Sequence, residues 1–270
     1  MKNLLTATLI SILLVSGSRA QEEDPFQLIY TSSNLEGHAV AAECNPGGGS
    51  ACGCTAEDVA IEFFDGYGEV TSNPRAQNTW VNAIGHKKFI ETFPDEGLVA
   101  LGVYQYSGQF RLTALPFPNP AQQQNGQAVH MMIQFWDGRD QLLETNKTAI
   151  EGAIYWELNP WNPESGRFKV YANPVVQVDT GIELAPDTEW HSFELVVDLK
   201  KQEYVSMAID GEVADLEGIE LARVHHPEWG DEVALVITTE SMATWPQSDC
   251  RVVFIWTTQF SDLEFGRLAE

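Results

Sequence analysis

The sequence predicts an all-β chain folded as two antiparallel sheets pressed face to face, and three observations carry that expectation. The stretch Trp190–Glu212, WHSFELVVDLKKQEYVSMAIDGE, alternates with a period of two. Short alternating or apolar runs recur along the rest of the chain, broken by Gly, Pro and Asp-Gly turns. No helical periodicity extends beyond about two turns.

Taken in order, Phe26–Thr31 reads as a short strand and NPGGGS (45–50) as a loop between cysteines. Val59–Tyr67 opens the main domain and ends in Asp65-Gly66. Gly97–Tyr106 and Gln109–Leu115 are the next two strands, with Ser107-Gly108 read as the turn between them. Pro116–Gly126 is a Pro- and Gln-rich surface loop. Gln127–Trp136 follows, with Val129, Met131, Ile133 and Phe135 on one side and His130, Gln134 and Trp136 on the other. Ala153–Leu158 turns Ile154 and Trp156 one way and Tyr155 and Glu157 the other. Arg167–Tyr171 sets Phe168 and Val170 against Arg167, Lys169 and Tyr171. The Trp190–Glu212 hairpin comes next, with His191, Phe193, Leu195 and Val197, and then Val205, Met207 and Ile209, as its core faces. Ala214–Val224 reads as a short helix or a loop. Val233–Thr239, Arg251–Phe260 and FSDLEF (260–265) supply the last strands.

Within the hairpin, Trp190-His191-x-Phe193-x-Leu195-x-Val197-Asp198, then an apolar strand, then Ile209-Asp210-Gly211, resembles the signature of concanavalin A-like lectin/glucanase and laminin-G-like domains. The resemblance covers roughly residues 59–268. It implies a two-sheet antiparallel jelly-roll sandwich, a sugar-binding groove on the concave sheet, and a structural calcium between the first strand and the last. The residues matching that calcium position are Asp65 and Asp262, with Glu62 close by. The Glu-x-Asp-x-x-Glu run that jelly-roll glucanases carry is absent. RFKVYANPVVQ (167–177) distantly resembles the Phe-Lys-x-Gly-x-Tyr-x-Gln strand of alginate lyases, without its Gly.

Residues 1–20 have the order of a secretory leader: Lys2, an apolar run from Leu4 to Val15, then Ser18-Arg19-Ala20 before a cut at Gln21. The apolar run is shorter than an ordinary membrane span. Secretion, extracellular or periplasmic, is therefore expected, with no insertion into a membrane. Residues 21–58 are expected to form an N-terminal strand and a disulfide-stapled loop, and residues 59–270 the sandwich. Without Lys2 and Arg19, 13 basic residues face 39 acidic ones, a net charge of −26. Such an acidic chain repels nucleic acid and anionic membranes. In an exported chain Cys44, Cys52, Cys54 and Cys250 read as two disulfides with three possible pairings.

The candidate site is the polar face opposite the core. Trp136, Tyr155, Glu157, Arg167, Lys169 and Tyr171 are the expected carbohydrate-binding residues: rings offer an apolar platform to a sugar's C–H face, and charged or amide groups read its hydroxyls. The expected partner is a polysaccharide or glycan. One alternative is a polysaccharide-degrading enzyme, a hydrolase or a lyase. A lyase would use His130 or Tyr171 as base, with Arg167 and Gln134 neutralising a uronate and Glu157 beside them. Another is a structural or adhesive exported protein. Structural calcium, on Glu62, Asp65 and Asp262, is the one cofactor expected.

Overall fold

The structure is a computed structural model that describes residues 26–45, 56–73, 80–89, 101–115, 125–136, 148–159, 162–174, 176–225, 232–243 and 255–269. The expected leader, Cys52, Cys54, Cys250 and most of the loop 116–126 lie outside the described residues, as do the side chains of Cys44 and Trp136.

Two eight-stranded antiparallel sheets form the sandwich. The first runs β3 (Val59–Phe63), β4 (Gly68–Ser72), β16 (Trp256–Leu268), β6 (Val103–Leu112), β11 (His191–Asp198), β12 (Glu203–Ile209), β13 (Glu212–Asp215), and β1 (Phe26–Ser32) also pairs with β16. The second runs β2 (Ala39–Asn45), β5 (Trp80–Lys88), β15 (Glu232–Ala243), β7 (Asn125–Trp136), β8 (Thr148–Leu158), β9 (Arg167–Ala172), β10 (Val176–Glu183), and β14 (Ala222–His225) pairs with β8. The N-terminal segment thus gives one strand to each sheet. Among the described residues the sole helical turn is a 3-10 turn at Ala56–Asp58.

The core faces expected for the middle strands are the observed ones. Val129, Met131, Ile133, Phe135, Ile154, Trp156, Phe168 and Val170 are all buried between the sheets. The hairpin differs in its second strand. Val205 is 38% exposed, whereas Tyr204, Met207 and Ile209 are buried. The cause is a bulge: Val196 pairs with Ser206 but Val197 with Tyr204, so Val205 is skipped and the alternation shifts by one.

Each polar residue of the hairpin motif has a mechanical role. Asp198 Oδ1 accepts from the backbone N–H groups of Lys200 and Lys201 and caps the turn between β11 and β12. Asp210 and Gly211 have φ of 50° and 80° and form the two-residue loop between β12 and β13, the left-handed pair such a tight hairpin requires. Asp210 Oδ1 accepts from the N–H of Ser192, and Asp210 Oδ2 lies 2.6 Å from His191 Nδ1. The other ring nitrogen, Nε2, is 2.8 Å from Asp187. The Trp190 ring lies under the Arg111 guanidinium at 4.6 Å.

Two expectations about local structure are corrected. Ser107-Gly108 is no turn, because β6 runs through it. Gly108 is there for close approach: a Cβ would stand 2.5 Å from Leu263 and 3.0 Å from Phe193. Ala214–Val224 is neither helix nor plain loop, since it spans the end of β13 and the start of β14.

Candidate functional site

The outward face of the second sheet follows from register. One row across it reads Lys169, Tyr155, His130, Thr238, Ile84, Ala41. The row on one side is Glu157, Ala128, Glu240, Asn82, Glu43. On the other side come Ala153, Met132, Val236, His86, and beyond them Glu151, Gln134, Ala234, Lys88. Small residues at Ala41 and Ala234 leave a hollow of about 460 Å³ over Ile84, Met132 and Val236. It is edged by Glu43, Asn82, His86, Lys88, His130, Gln134, Glu151, Tyr171 and Thr238.

Aromatic groups form one wall. Tyr155 meets His130 edge to face at 4.6 Å, and Tyr171 stands 5.6 Å from Tyr155 and 6.1 Å from His130. Tyr155 is buried and Tyr171 only partly so, which makes Tyr171 the ring a ligand can reach. A tyrosine of the other sheet supports this wall. The Tyr204 hydroxyl donates to the Tyr171 carbonyl at 2.6 Å and accepts from the Ala153 N–H at 2.9 Å. Tyr204→Phe leaves both backbone groups without that partner and is expected to cost about 1–3 kcal/mol, read by urea denaturation.

The electrostatics are those of desolvated acids. Burial lowers His130 to about 3, so the imidazole is neutral at physiological pH. Burial, followed by the charges of Glu157 and Glu43, raises Glu240 to about 7. Its Oε2 lies 3.6 Å from His130 Nε2, and this pair is an imidazole beside a carboxyl group rather than an ion pair. Burial also raises Glu151 to about 7, against the hydrogen bond it accepts from Gln134 at 2.9 Å. Tyr171 is pushed up to about 12, chiefly by burial. His130 Nε2, Thr238 Oγ1 and Asn82 Oδ1 are buried in this face without a hydrogen-bond partner, a costly arrangement that marks a place for a polar ligand or water.

Of the residues singled out in the sequence, His130, Gln134, Tyr155 and Tyr171 come together here. Arg167 does not join them, because it donates to Asp179 at 2.8 Å across the β9–β10 pair. Lys169 is buried and donates to Glu164 at 2.9 Å. Glu157 accepts from Asn162 at 3.1 Å. The Trp136 side chain falls outside the described residues. Glu62, Asp65 and Asp262 are not gathered into a ligand set. Strand β4 separates Glu62 on β3 from β16, and among the described residues no group of three His, Cys, Asp or Glu is placed to hold a metal. Glu43, Asn82, Glu151, Thr238 and Glu240 were missed. Strands β2 and β5 carry Ala, Gly and polar residues on both faces, so their periodicity is faint. The acidic residue after Val233–Thr239 would have been found by extending that strand one position.

Together these features define a β-sandwich of jelly-roll type with an open, polar and aromatic sheet face. In overall shape the chain is similar to the Emp47p carbohydrate recognition domain (TM-score 0.46, 10% identity, covering 90% of this chain and 98% of that one). It is also similar to the catalytic domain of an endo-1,3-beta-glucanase (laminarinase) from Thermotoga petrophila RKU-1 (0.48, 11%, 91% and 99%). A third such structure is the basic winged bean lectin with Tn-antigen (0.46, 12%, 88% and 96%). No family model matches the sequence, and no curated protein does. At these identities the likeness concerns shape and says nothing of activity.

Proposed function

We propose that the outward face of the second sheet binds a glycan in the hollow walled by Tyr171. The observation that supports this reading most is the coincidence of an accessible ring, an apolar floor and three buried polar atoms without partners. A sugar ring uses all three: its C–H face packs on Tyr171 and Val236, and its hydroxyls pair with Asn82, His130 and Thr238.

The lyase alternative draws less from the same face. Elimination needs a cation or amide array over the uronate carboxylate and a base matched to neutral pH. Arg167 and Lys169 are engaged by Asp179 and Glu164, and Tyr171 is pushed up to about 12. Export behind the leader of residues 1–20 belongs to the proposal and is checked by sequencing the N terminus of the protein recovered outside the cytoplasm, expected at Gln21.

The test is a glycan array followed by calorimetric titration of the oligosaccharides that bind. Tyr171→Ala is expected to weaken binding about tenfold or more, the loss of one aromatic platform, with the far-UV spectrum unchanged. An array on which the wild-type protein binds no glycan would reject the reading.

A further inference from the structure

Asn82 sits at the centre of a corner built from hydrogen-bond acceptors. Its register partners are Glu43 on β2 and Glu240 on β15, so two carboxylates flank it on the same face. Two residues along β15 is Thr238, whose partner on β7 is His130, and Glu240 closes the corner 3.6 Å from His130 Nε2. Asn82, His130 and Thr238 are 8%, 4% and 1% exposed, line the hollow, and present Oδ1, Nε2 and Oγ1 without partners. With its proton on Nδ1, the neutral imidazole accepts at Nε2.

Among the described residues the cations of this face lie elsewhere. Lys88 lines the hollow six residues along β5 from Asn82, about 20 Å at the rise of a strand, and His86 is about 13 Å away. Arg167 and Lys169 are held by Asp179 and Glu164. A uronate carboxylate seated in this corner would meet Glu43 and Glu240.

We infer that this corner receives the ammonium group of a 2-amino sugar, so that the glycan bound in the hollow carries free amino groups. The inference rests on the glycan reading and narrows it. An ammonium brings three N–H donors and one positive charge. Those match a corner of acceptors with two acidic side chains at its sides, in surroundings dry enough to strengthen charge-assisted hydrogen bonds. Burial holds Glu240 up at about 7. An adjacent ammonium favours the ionised carboxylate, so binding should expel a proton.

The experiment is calorimetric titration at mildly acidic pH in two buffers of different ionisation enthalpy. The ligands are a glucosamine tetrasaccharide, its fully N-acetylated form and an oligouronate of equal length. The amino form is expected to bind at least about tenfold more tightly than the acetylated form, with proton release to the buffer, and the oligouronate more weakly than both. Glu240→Gln, and separately Glu43→Gln on the exposed edge strand, should erase most of that preference by weakening the amino form far more than the acetylated form. Should Glu240→Gln fail to fold, Glu43→Gln decides. Equal or tighter binding of the acetylated form by the wild-type protein would overturn the amino-sugar assignment and leave the glycan reading standing. A preference that survives both substitutions would trace it to the acidic surface at large and also overturn the assignment. If none of the three ligands binds while neutral glycans do on the array, the assignment fails alone. If the array is empty as well, both fail.

Discussion

Trp156→Ala is expected to cost about 3–5 kcal/mol of folding free energy, a large-to-small change at the centre of the sandwich. The Trp156 ring is fully buried and stacks on Phe168 at 5.5 Å with planes 5° apart. It also meets the Phe110 ring of the opposite sheet at 5.5 Å and 67°. Its Nε1 donates to the Gly166 carbonyl at 3.1 Å, which would lose that partner too. Urea denaturation should show a lower midpoint with an unchanged slope, and Tm should fall by about 10 °C. Trp156→Phe keeps the stacking area and should recover more than half of the loss. A shift in midpoint no larger than that of an exposed-site substitution would mean that the two sheets are not pinned through this ring.

The second large effect is expected at His191. His191→Ala should cost about 2–3 kcal/mol: two charge-assisted hydrogen bonds, discounted because Asp187 and Asp210 are partly exposed, plus the packing of the ring on Phe110. The cost should depend on pH. Burial alone would lower the His191 pKa, but the hydrogen bonds to Asp187 and Asp210 outweigh it and raise the value above 6.5. A raised histidine contributes stability that is complete below the unfolded value and is lost as pH rises through the folded one. Burial would raise Asp187, but its hydrogen bond to His191 and that from the Glu189 N–H hold it below 3.8. Its contribution is present above the unfolded value and is lost as pH falls through the folded one. The difference between wild type and variant should therefore be widest between about pH 4 and pH 6.5 and shrink toward alkaline pH. A difference that is flat with pH would show that the ring is held by packing alone.

These two residues show what the sequence could and could not convey. The strands flanking Trp156 alternate strictly, because one face of each lies in the core, and every core residue named on them is buried. The hairpin motif marked the architecture for the same reason: His191, Asp198 and Asp210 are spent on the turn geometry of that hairpin. That is also why the motif carries no information about a ligand. The site was half legible. His130, Gln134, Tyr155 and Tyr171 lie on strands with clear alternation, and they converge. Arg167 and Lys169 belonged to the same face by pattern, but their partners Asp179 and Glu164 lie 12 and 5 residues away in sequence, and no period reports such a pairing. Glu43 and Asn82 were hidden because β2 and β5 mix small and polar residues into both faces and carry few large apolar ones. Strand β5 is stabilised by its place beside β15 and β2 by its place on β5, a property of the assembled sheet rather than of the segment. The bulge at Val205 was out of reach for a related reason, since an extra residue is visible only against the strand it pairs with.

Strand β16 ends at Leu268, yet it lies inside its sheet, with β6 on one side and β4 and β1 on the other. The earliest and latest parts of the described chain are therefore hydrogen-bonded neighbours. During synthesis β1, β4 and β6 all emerge before the strand they share, so of the first sheet only the β3–β4 hairpin and the block β6–β11–β12–β13 can pair before β16 is made. Joining those pieces waits for β16 and closes very long loops, which is a slow step. Until then the nascent polypeptide carries unpaired strand edges on β1, β4 and β6. It is open to chaperones during that interval, and to aggregation if they are lacking.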